Sequence, residues 1–370
     1  MKPVRFQIPE YLFEVQFSET RVELYDLLTQ RVLHVLKFEK QMKEFTKVKF
    51  NQFKAIEKAT GDKYQITIDL IQRSTAVLTK AGYILDFFMS TPNHGYFFGL
   101  YQIGGFSLKE NGKFILNKTL NFEYGAVGWV LNDKIMYLSQ RETSSLTESF
   151  NYYLVKIDWE FTPIILWRKS LHTTLTALFI VNNTAFLGLK DGILEIWDLK
   201  QEKIIASKIL FSNGIARIEQ GLNIIYCLSH IGEIAGLSLE GDVIWQKRLG
   251  DRVFYGLVEN EKGIHLINEI GQYFCLNPTT GAIKRSQSWQ GPFMRGIASN
   301  LVEIRGWLIG AGSYGLSSIN LKENKKTFFC EFNDPLIRKL LHHPNGLISG
   351  DDDGRISFWK LGGIRVRKLY

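Results

Sequence analysis

A few short groups of residues in this chain have the types and spacing that chemistry requires. Asp351, Asp352 and Asp353 could supply carboxylate ligands to Ca²⁺ or Mg²⁺, and His342-His343 could bind a metal. However, consecutive residues on a tight turn point in different directions, and neighbours on a strand project to opposite faces. The sequence therefore favours structural roles, with Asp353 as a turn residue that caps backbone N–H groups.

Motifs for nucleotide binding and nucleophilic catalysis are equally weak. The segment from Gly310 to Gly315 matches G-x-G-x-x-G, but a dinucleotide site needs a helix next, and LSSINL predicts a strand. No G-x-S-x-G is present. Cys227 and Cys275 lie in apolar runs typical of buried, inert thiols. We therefore expect no enzyme activity, no catalytic residues, and no metal or cofactor.

The charge is concentrated near the start of the chain. The sequence has 45 Lys and Arg against 37 Asp and Glu, a net charge of +8. Residues 37–63 hold eight lysines and four acids, which is half of that excess. The lysines could form a solvated strand face, contact an acidic protein, or bind nucleic acid with Phe45, Phe50 and Phe53 as stacking platforms. The candidate partner contacts here are Lys40, Lys43, Lys47 and Lys49.

A polar insertion provides a second candidate surface. RETSSLTES, residues 141–149, interrupts an otherwise compact pattern. Long loops on rigid scaffolds often carry function, although a tolerated insertion would look the same. Arg141 and Glu142 are therefore further candidate partner contacts.

Composition limits the class of protein. The chain has 370 residues with 45% apolar side chains, which is too many for a disordered protein. Three scattered cysteines cannot build a disulfide framework. The N-terminus lacks the apolar core of a signal peptide, and no run reaches the 18 apolar residues of a spanning helix. We expect a cytoplasmic protein without membrane insertion.

A period of about forty residues organises the chain. Gly192, Gly232, Gly271, Gly315 and Gly354 follow one another at 39 to 44 residues, each in a turn signal. Extended backwards, the period reaches Gly105, Gly61 and a turn near Thr20, with one more copy around residues 128–159. Nine units result. Repeats of this length must be identified before any single motif is interpreted.

Each unit predicts four short strands. In residues 172–210 these are LTALFIV, TAFLGL, ILEIWDL and KIIASKIL, separated by Asn-Asn, Lys-Asp-Gly and Lys-Gln-Glu. Residues 38–58 would also allow a short helix. Four-stranded units at this period predict an all-β fold, a β-propeller of about seven to nine blades.

Several units resemble the WD-repeat family. The residues that carry the resemblance are Tyr25, Asp26, Asp191, Gly192, Trp197, Asp198, Ser349, Asp353, Gly354 and Trp359. In that family a hydrogen-bonded tetrad joins His, Ser or Thr, Asp and Trp. The repeats are degenerate, since Lys360 replaces the Asp of the last WD pair. Residues 239–249 and 276–285 instead resemble quinoprotein-like propellers.

The resemblance implies a non-catalytic platform that binds other proteins in a cytoplasmic complex. Two other functions stay open, an RNA- or ribonucleoprotein-associated propeller and a quinoprotein-like propeller that binds a ligand or is an enzyme. We expect a single propeller over residues 1–370. The alternative is a β-rich extension over 1–80 with a seven-bladed propeller over 81–370.

Overall fold

Two compact units make up this computed structural model. Unit 1 contains Met1–Ser74, His343–Leu347 and Ser357–Tyr370, and unit 2 contains Thr75–His342 and Ile348–Ile356. The structure describes residues 4–8, 13–26, 32–49, 52–77, 84–99, 101–109, 113–121, 127–131, 134–143, 150–268, 270–288, 301–304, 306–312, 315–321, 325–331, 336–344 and 346–369. These residues form strands and turns, and they include no helix that could cross a membrane.

The strands near the N-terminus form one four-stranded sheet and half of another. The first sheet contains β1 (Val4–Ile8), β2 (Phe13–Phe17), β3 (Arg21–Asp26) and β4 (Val32–Lys37). The next strands are β5 (Met42–Lys49), β6 (Gln52–Glu57) and β7 (Lys63–Val77), so residues 38–58 contain strands rather than a helix.

Six further four-stranded sheets follow in chain order. They are β8 (Ile84–Thr91), β9 (His94–Gly99), β10 (Gln102–Leu108) and β11 (Phe114–Asn121); β12 (Gly128–Leu131), β13 (Ile135–Thr143), β14 (Phe150–Asp158) and β15 (Ile164–Leu171); β16 (Leu175–Val181), β17 (Thr184–Leu189), β18 (Ile193–Asp198) and β19 (Lys203–Ile209); β20 (Ile215–Gln220), β21 (Ile225–Ser229), β22 (Glu233–Leu237) and β23 (Val243–Arg248); β24 (Phe254–Asn260), β25 (Gly263–Asn268), β26 (Gln272–Leu276) and β27 (Ile283–Ser288); β28 (Val302–Ile304), β29 (Trp307–Gly312), β30 (Gly315–Asn320) and β31 (Lys325–Glu331).

The last strands are β32 (Ile337–His343), β33 (Gly346–Asp351) and β34 (Arg355–Lys368), in a six-stranded sheet of order β32-β33-β34-β7-β6-β5. The nine sequence units thus correspond to eight sheets in the described part of the chain. The all-β prediction and the repeated four-stranded sheets are confirmed.

The turns between strands contain the residue types that the sequence predicted. Asn182 and Asn183 join β16 to β17 with φ of 49° and 64°, the pattern of a type I′ hairpin turn. Four of the turn glycines lie in the left-handed region, with φ of 87°, 79°, 82° and 72° at Gly192, Gly232, Gly271 and Gly354. Such values favour glycine because it has no Cβ.

Two sequence markers were placed wrongly. Gly105 lies inside β10 rather than in a turn, at a register shift beside Phe106. Residues 141–143 belong to β13 and pair with β14, so RETSSLTES is not a loop throughout; residues 144–149 lie outside the described residues. In both cases local composition indicated a turn where pairing with the adjacent strand extends the sheet.

The fourth strand of every four-stranded sheet carries a β-bulge. The register against the third strand shifts by one residue in β4, β11, β15, β19, β23, β27 and β31. These fourth strands are sheet edges. A bulge disrupts the regular row of N–H and C=O groups and hinders pairing with another chain.

Apolar clusters cover the sheet faces within each unit. In unit 2, Phe186 and Ile196 of one sheet pack with Ile218 and Ile225 of the next. A comparable cluster joins each consecutive pair of sheets from β8–β11 to β28–β31. In unit 1, Phe17 packs on Phe53 with ring centroids 5.0 Å apart. Burial of these side chains is the main favourable term in folding.

Polar side chains connect consecutive sheets of unit 2 in a repeated way. A fourth-strand side chain donates to the segment between the third and fourth strands of the following sheet. The four examples are Lys118 Nζ to Trp159 O (2.6 Å), Trp167 Nε1 to Glu202 Oε1 (2.7 Å), Lys208 Nζ to Gly241 O (2.8 Å) and Trp245 Nε1 to Pro278 O (2.7 Å). Consecutive sheets therefore share one relative arrangement.

Replacement of a turn glycine tests this arrangement. A Cβ on Gly192 would overlap the carbonyl oxygens of Phe211 and Asn213, in a backbone conformation with φ of 87°. We expect Gly192→Ala to lower the free energy of unfolding by about 2–4 kcal/mol, measured by urea denaturation. Gly250→Ala is the control because no heavy atom lies within 4 Å of its Cβ position. Equal effects of the two substitutions would contradict the prediction.

Candidate functional site

A pocket in unit 1 contains part of the lysine-rich segment. Its volume is about 340 Å³, within the range of small-molecule sites. The end of β4, the loop that follows it, the start of β5, β7 and the end of β34 supply the lining residues, which are Leu36, Lys37, Phe38, Glu39, Lys40, Met42, Tyr64 and Lys368.

A buried carboxylate holds two of the lining residues. Glu57 is 3% exposed, and its Oε2 accepts hydrogen bonds from Lys40 Nζ and Tyr64 OH, each at 3.1 Å. Burial acts to raise the pKa of Glu57, but the hydrogen bonds from Lys40, Thr60 and Tyr64 outweigh it and the pKa is lowered. The bond to Glu57 raises the pKa of Lys40. Both groups are therefore charged at neutral pH.

The C-terminal strand completes the pocket. Lys368 Nζ pairs with Asp62, and Leu369 N donates to Lys63 O at 2.8 Å. The hydrogen bond from Lys368 lowers the pKa of Asp62. Sequence reasoning missed Lys368 and Tyr64 because nothing local in the sequence places them beside Lys40.

The pocket offers cationic and apolar side chains to a ligand. Lys40 and Lys368 are each paired with an acid. Lys37 is exposed and forms no ion pair with any acidic side chain that the structure describes. One unpaired ammonium beside Phe38 and Met42 suits a group that carries negative charge and an apolar part.

The other predicted lysines are spread along β5. Lys43 Nζ lies 3.8 Å from Glu44, Lys47 is exposed, and the side chain of Lys49 lies outside the described residues. Val48 is 46% exposed, so the lysines here do not alternate with buried residues as they would on a solvated strand face. The irregular pairing of β5 with β6, which shifts register between Lys47 and Lys49, explains the departure from strict alternation.

Phe45 and Phe53 of this segment are not arranged as stacking platforms. Phe53 is fully buried, and Phe45 stacks on Phe17 with ring centroids 4.8 Å apart. Phe50 lies outside the described residues. These two rings thus belong to the core of unit 1 and are not placed to stack on bases.

Arg141 and Glu142 are held by neighbours in unit 2. The Arg141 guanidinium lies 4.4 Å from the ring centroid of Phe150. Glu142 Oε1 accepts from Arg168 at 2.6 Å and from Gln140 at 2.9 Å. These contacts lie within the chain.

The repeat positions around Trp197 form a polar cluster. His172 Nε2 lies 2.7 Å from Asp191 Oδ2, and Trp197 Nε1 donates to Glu195 Oε2 at 2.9 Å. Asp198 Oδ1 accepts from the backbone of the following turn, including Lys200 N at 2.8 Å. Sequence reasoning missed His172 and Glu195. The available signal was a histidine just before the first strand of the sheet that carries the WD pair.

In the last unit the capping role belongs to Asp351, not to Asp353. Asp351 is buried, and its Oδ1 accepts from the N–H groups of Asp353 and Arg355, both at 3.0 Å. Asp353 is exposed and pairs with Arg355 at 3.1 Å. The error arose because three consecutive aspartates are equivalent by composition, whereas only the strand-end residue faces the turn.

The same cap recurs in other sheets. Ser229 Oγ accepts from Ile231 N at 3.2 Å and Glu233 N at 3.0 Å, and Asn268 Oδ1 accepts from Ile270 N at 3.2 Å and Gln272 N at 2.8 Å. Like Asp351, each lies three residues before the turn glycine. This polar residue at the end of the second strand stabilises the turn.

The remaining repeat positions that the structure describes are buried or bonded to neighbouring residues of the chain. Ser349 and Trp359 are buried. Tyr25 OH donates to Glu23 at 2.6 Å, and the side chain of Asp26 lies outside the described residues. Gly315 is the first residue of β30, which forms the strand that the sequence predicted for LSSINL.

The histidines and thiols that could do chemistry differ in their exposure. On β32, His342 is exposed whereas His343 is buried, as expected for neighbours on a strand. Cys227 and Cys275 are buried free thiols, and burial raises the pKa of both. The structure thus confirms that these two cysteines are buried.

His265 is the most strongly perturbed histidine that the structure describes. It is 2% exposed, and its ring nitrogens lie 2.7 Å from Tyr273 OH and 2.9 Å from Asn260 Oδ1. Burial lowers the pKa of His265 to about 4. The neutral ring thus belongs to a satisfied core network.

This pKa predicts an acid-sensitive unit 2. Between pH 6.5 and 4 the unfolded chain binds a proton on His265 that the folded chain does not, so stability falls as pH decreases through that window. The loss is about 3 kcal/mol, measurable by urea denaturation at a series of pH values. His265→Gln should reduce this slope, whereas His342→Gln, which replaces an exposed histidine, should retain it. A wild-type slope in His265→Gln would contradict the prediction.

No protein-family model matches this chain, and no curated protein sequence is significantly similar to it.

Proposed function

We propose that this chain is a WD-repeat-like β-propeller of seven to nine four-stranded blades, which acts as a non-catalytic scaffold for other proteins in a cytoplasmic complex. The observation that carries the proposal is the regular stacking of sheets in unit 2. Each sheet from β8–β11 to β24–β27 packs on the next through an apolar cluster, and the first four of these five pairs also share a fourth-strand hydrogen bond of the same kind.

Repetition of one relative arrangement generates either a closed ring or an open superhelix. Two observations favour the ring. The first strand of each sheet contacts the first strand of the next sheet, in the order β12, β16, β20, β24 and β28. In addition, Arg217 in β20 donates to Arg338 O in β32 at 3.5 Å, although two sheets lie between them in the chain. First strands that converge from separate sheets are expected around a central axis.

The polar cluster at Trp197 supports the family resemblance. The WD-repeat tetrad joins a histidine to the aspartate of the turn, and His172 and Asp191 stand 2.7 Å apart in that relation. The indole of Trp197 bonds to Glu195 rather than to a Ser or Thr. This difference fits the degenerate repeats of the sequence.

Electron microscopy tests the ring. Class averages of the purified chain should show a disc with a central opening and seven to nine radial blades. The blade count also separates one ring over residues 1–370 from a seven-bladed ring over 81–370 with an extension. An elongated stack without an opening would contradict the propeller.

Purification from the native cell tests the scaffold. The tagged full-length chain should retain one or more proteins in stoichiometric amount, because a rigid array of loops and edges offers a large contact surface. Mass spectrometry identifies them, and ribonuclease treatment is the control. A chain that is recovered alone would contradict the scaffold, and partners lost after ribonuclease would favour the RNA-associated function instead.

A further inference from the structure

The pocket of unit 1 presents more cationic than acidic side chains. Lys37, Lys40 and Lys368 line it, whereas Glu39 is the one acid among the lining residues that the structure describes. Glu57, which neutralises Lys40, is buried and is not a lining residue. The side chain of Lys40 is itself 52% exposed. A ligand in the pocket would therefore meet the ammonium group of Lys40 rather than the carboxylate behind it.

These ammonium groups have donors to spare. A lysine ammonium has three N–H donors and no acceptor. Within the described part of the chain, Lys40 Nζ donates to Glu57 alone. Lys368 Nζ likewise donates to Asp62 alone. Lys37 is exposed and has no ion pair there. A ligand group with several acceptor oxygens would satisfy the remaining donors.

The charges of Lys40 and Lys368 also act on each other. The bond to Glu57 raises the pKa of Lys40, but the charge of Lys368 acts in the opposite direction. Two like charges have this effect when they lie close together. A negative group between them would reduce the repulsion, whereas a neutral acceptor would not.

The rest of the lining is apolar or aromatic. It consists of Leu36, Phe38, Met42 and Tyr64. Phe38 stacks on Phe45 with ring centroids 6.2 Å apart, and Met42 is buried. All of these side chains pack in the core of unit 1, which holds this wall of the pocket in place. Apolar walls beside a small set of charged groups are typical of small-molecule sites.

The volume of the pocket limits the size of the ligand. A volume of about 340 Å³ equals that of about eleven waters at roughly 30 Å³ each, which corresponds to an organic molecule of about a dozen non-hydrogen atoms. A helix, with a diameter of about 10–12 Å including its side chains, does not fit. Inorganic phosphate would fit, but it would leave Phe38 and Met42 without an apolar partner.

We propose that this pocket binds a small amphipathic organic anion. Its oxyanion group, a carboxylate or a phosphate, accepts hydrogen bonds from Lys37, Lys40 and Lys368. Its apolar body lies against Phe38 and Met42. This inference goes beyond the scaffold function and does not depend on it.

Calorimetric titration of the full-length chain tests the class of ligand. The probes are 2-naphthoate and 2-naphthyl phosphate, which join one apolar ring system to the two oxyanions. At least one should bind, and the tighter of the two identifies the oxyanion. 2-Naphthylmethylamine has the same rings with a cationic group and should not bind. Acetate has the carboxylate without the rings and should bind at least about tenfold more weakly than 2-naphthoate, because it buries little apolar surface.

Substitutions at exposed residues locate the binding. Lys37→Glu should weaken binding of the naphthyl anion about tenfold, because repulsion replaces attraction. Lys47→Glu makes the same change of charge at an exposed residue of β5 outside the pocket, and it should leave binding unchanged. Glu39→Gln removes the lining acid and should strengthen binding severalfold, whereas Glu44→Gln, outside the pocket, should not. Thermal melts verify that each variant is folded.

Four results would overturn the inference. These are no binding of either naphthyl anion at millimolar concentration, preferred binding of 2-naphthylmethylamine, equal effects of Lys37→Glu and Lys47→Glu, and weaker binding after Glu39→Gln. The scaffold is tested separately by purification. If the Lys37→Glu chain loses the naphthyl anion but retains its native partners, the pocket and the scaffold are independent functions of the chain.

Discussion

The structure depends on one constraint, that a four-stranded sheet with two apolar faces must cover both. In unit 2 the cover is the next sheet. Phe186 and Ile196 belong to one sheet, and their apolar partners Ile218 and Ile225 belong to the following one. The same solution recurs for each consecutive pair from β8–β11 to β28–β31. A sheet of this unit therefore derives its stability from its neighbours, as in other repeat architectures. Loss of one turn geometry should accordingly affect the adjoining sheets as well as its own.

This packing also determines where polar side chains are needed. Where a fourth strand meets the next sheet, the backbone carbonyls of the following connection need donors, and Lys118, Lys208 and Trp245 supply them. Where the second strand ends, Ser229, Asn268 and Asp351 satisfy the N–H groups of the turn. Chemically different side chains perform one task because the task is set by the backbone. This explains why the sequence repeat is degenerate while the strand pattern remains regular.

Much of the fold could be predicted from local residues. The four strands of residues 172–210 were predicted within one residue of their observed bounds, because apolar runs and the Asn182-Asn183 turn are local signals. The pocket could not be predicted in this way. Glu57 is seventeen residues from Lys40, and Lys368 reaches Asp62 from the other end of the chain. The predictions for Gly105 and Asp353 were wrong for a related reason, because composition cannot show whether a residue lies in a strand or faces a turn.

The net charge of +8 has two different kinds of source in the chain. Residues 37–63 hold eight lysines close together in sequence, and several of these charges are neutralised by Glu57 and by nearby acids. The strands β15, β19, β23 and β27 also hold eight Lys and Arg, two in each strand, and about forty residues separate one strand from the next. Residues one period apart take the same strand position in successive sheets. The position of a charge within the repeat therefore determines its surroundings, and a contiguous run of charges in the sequence is a poor guide to them.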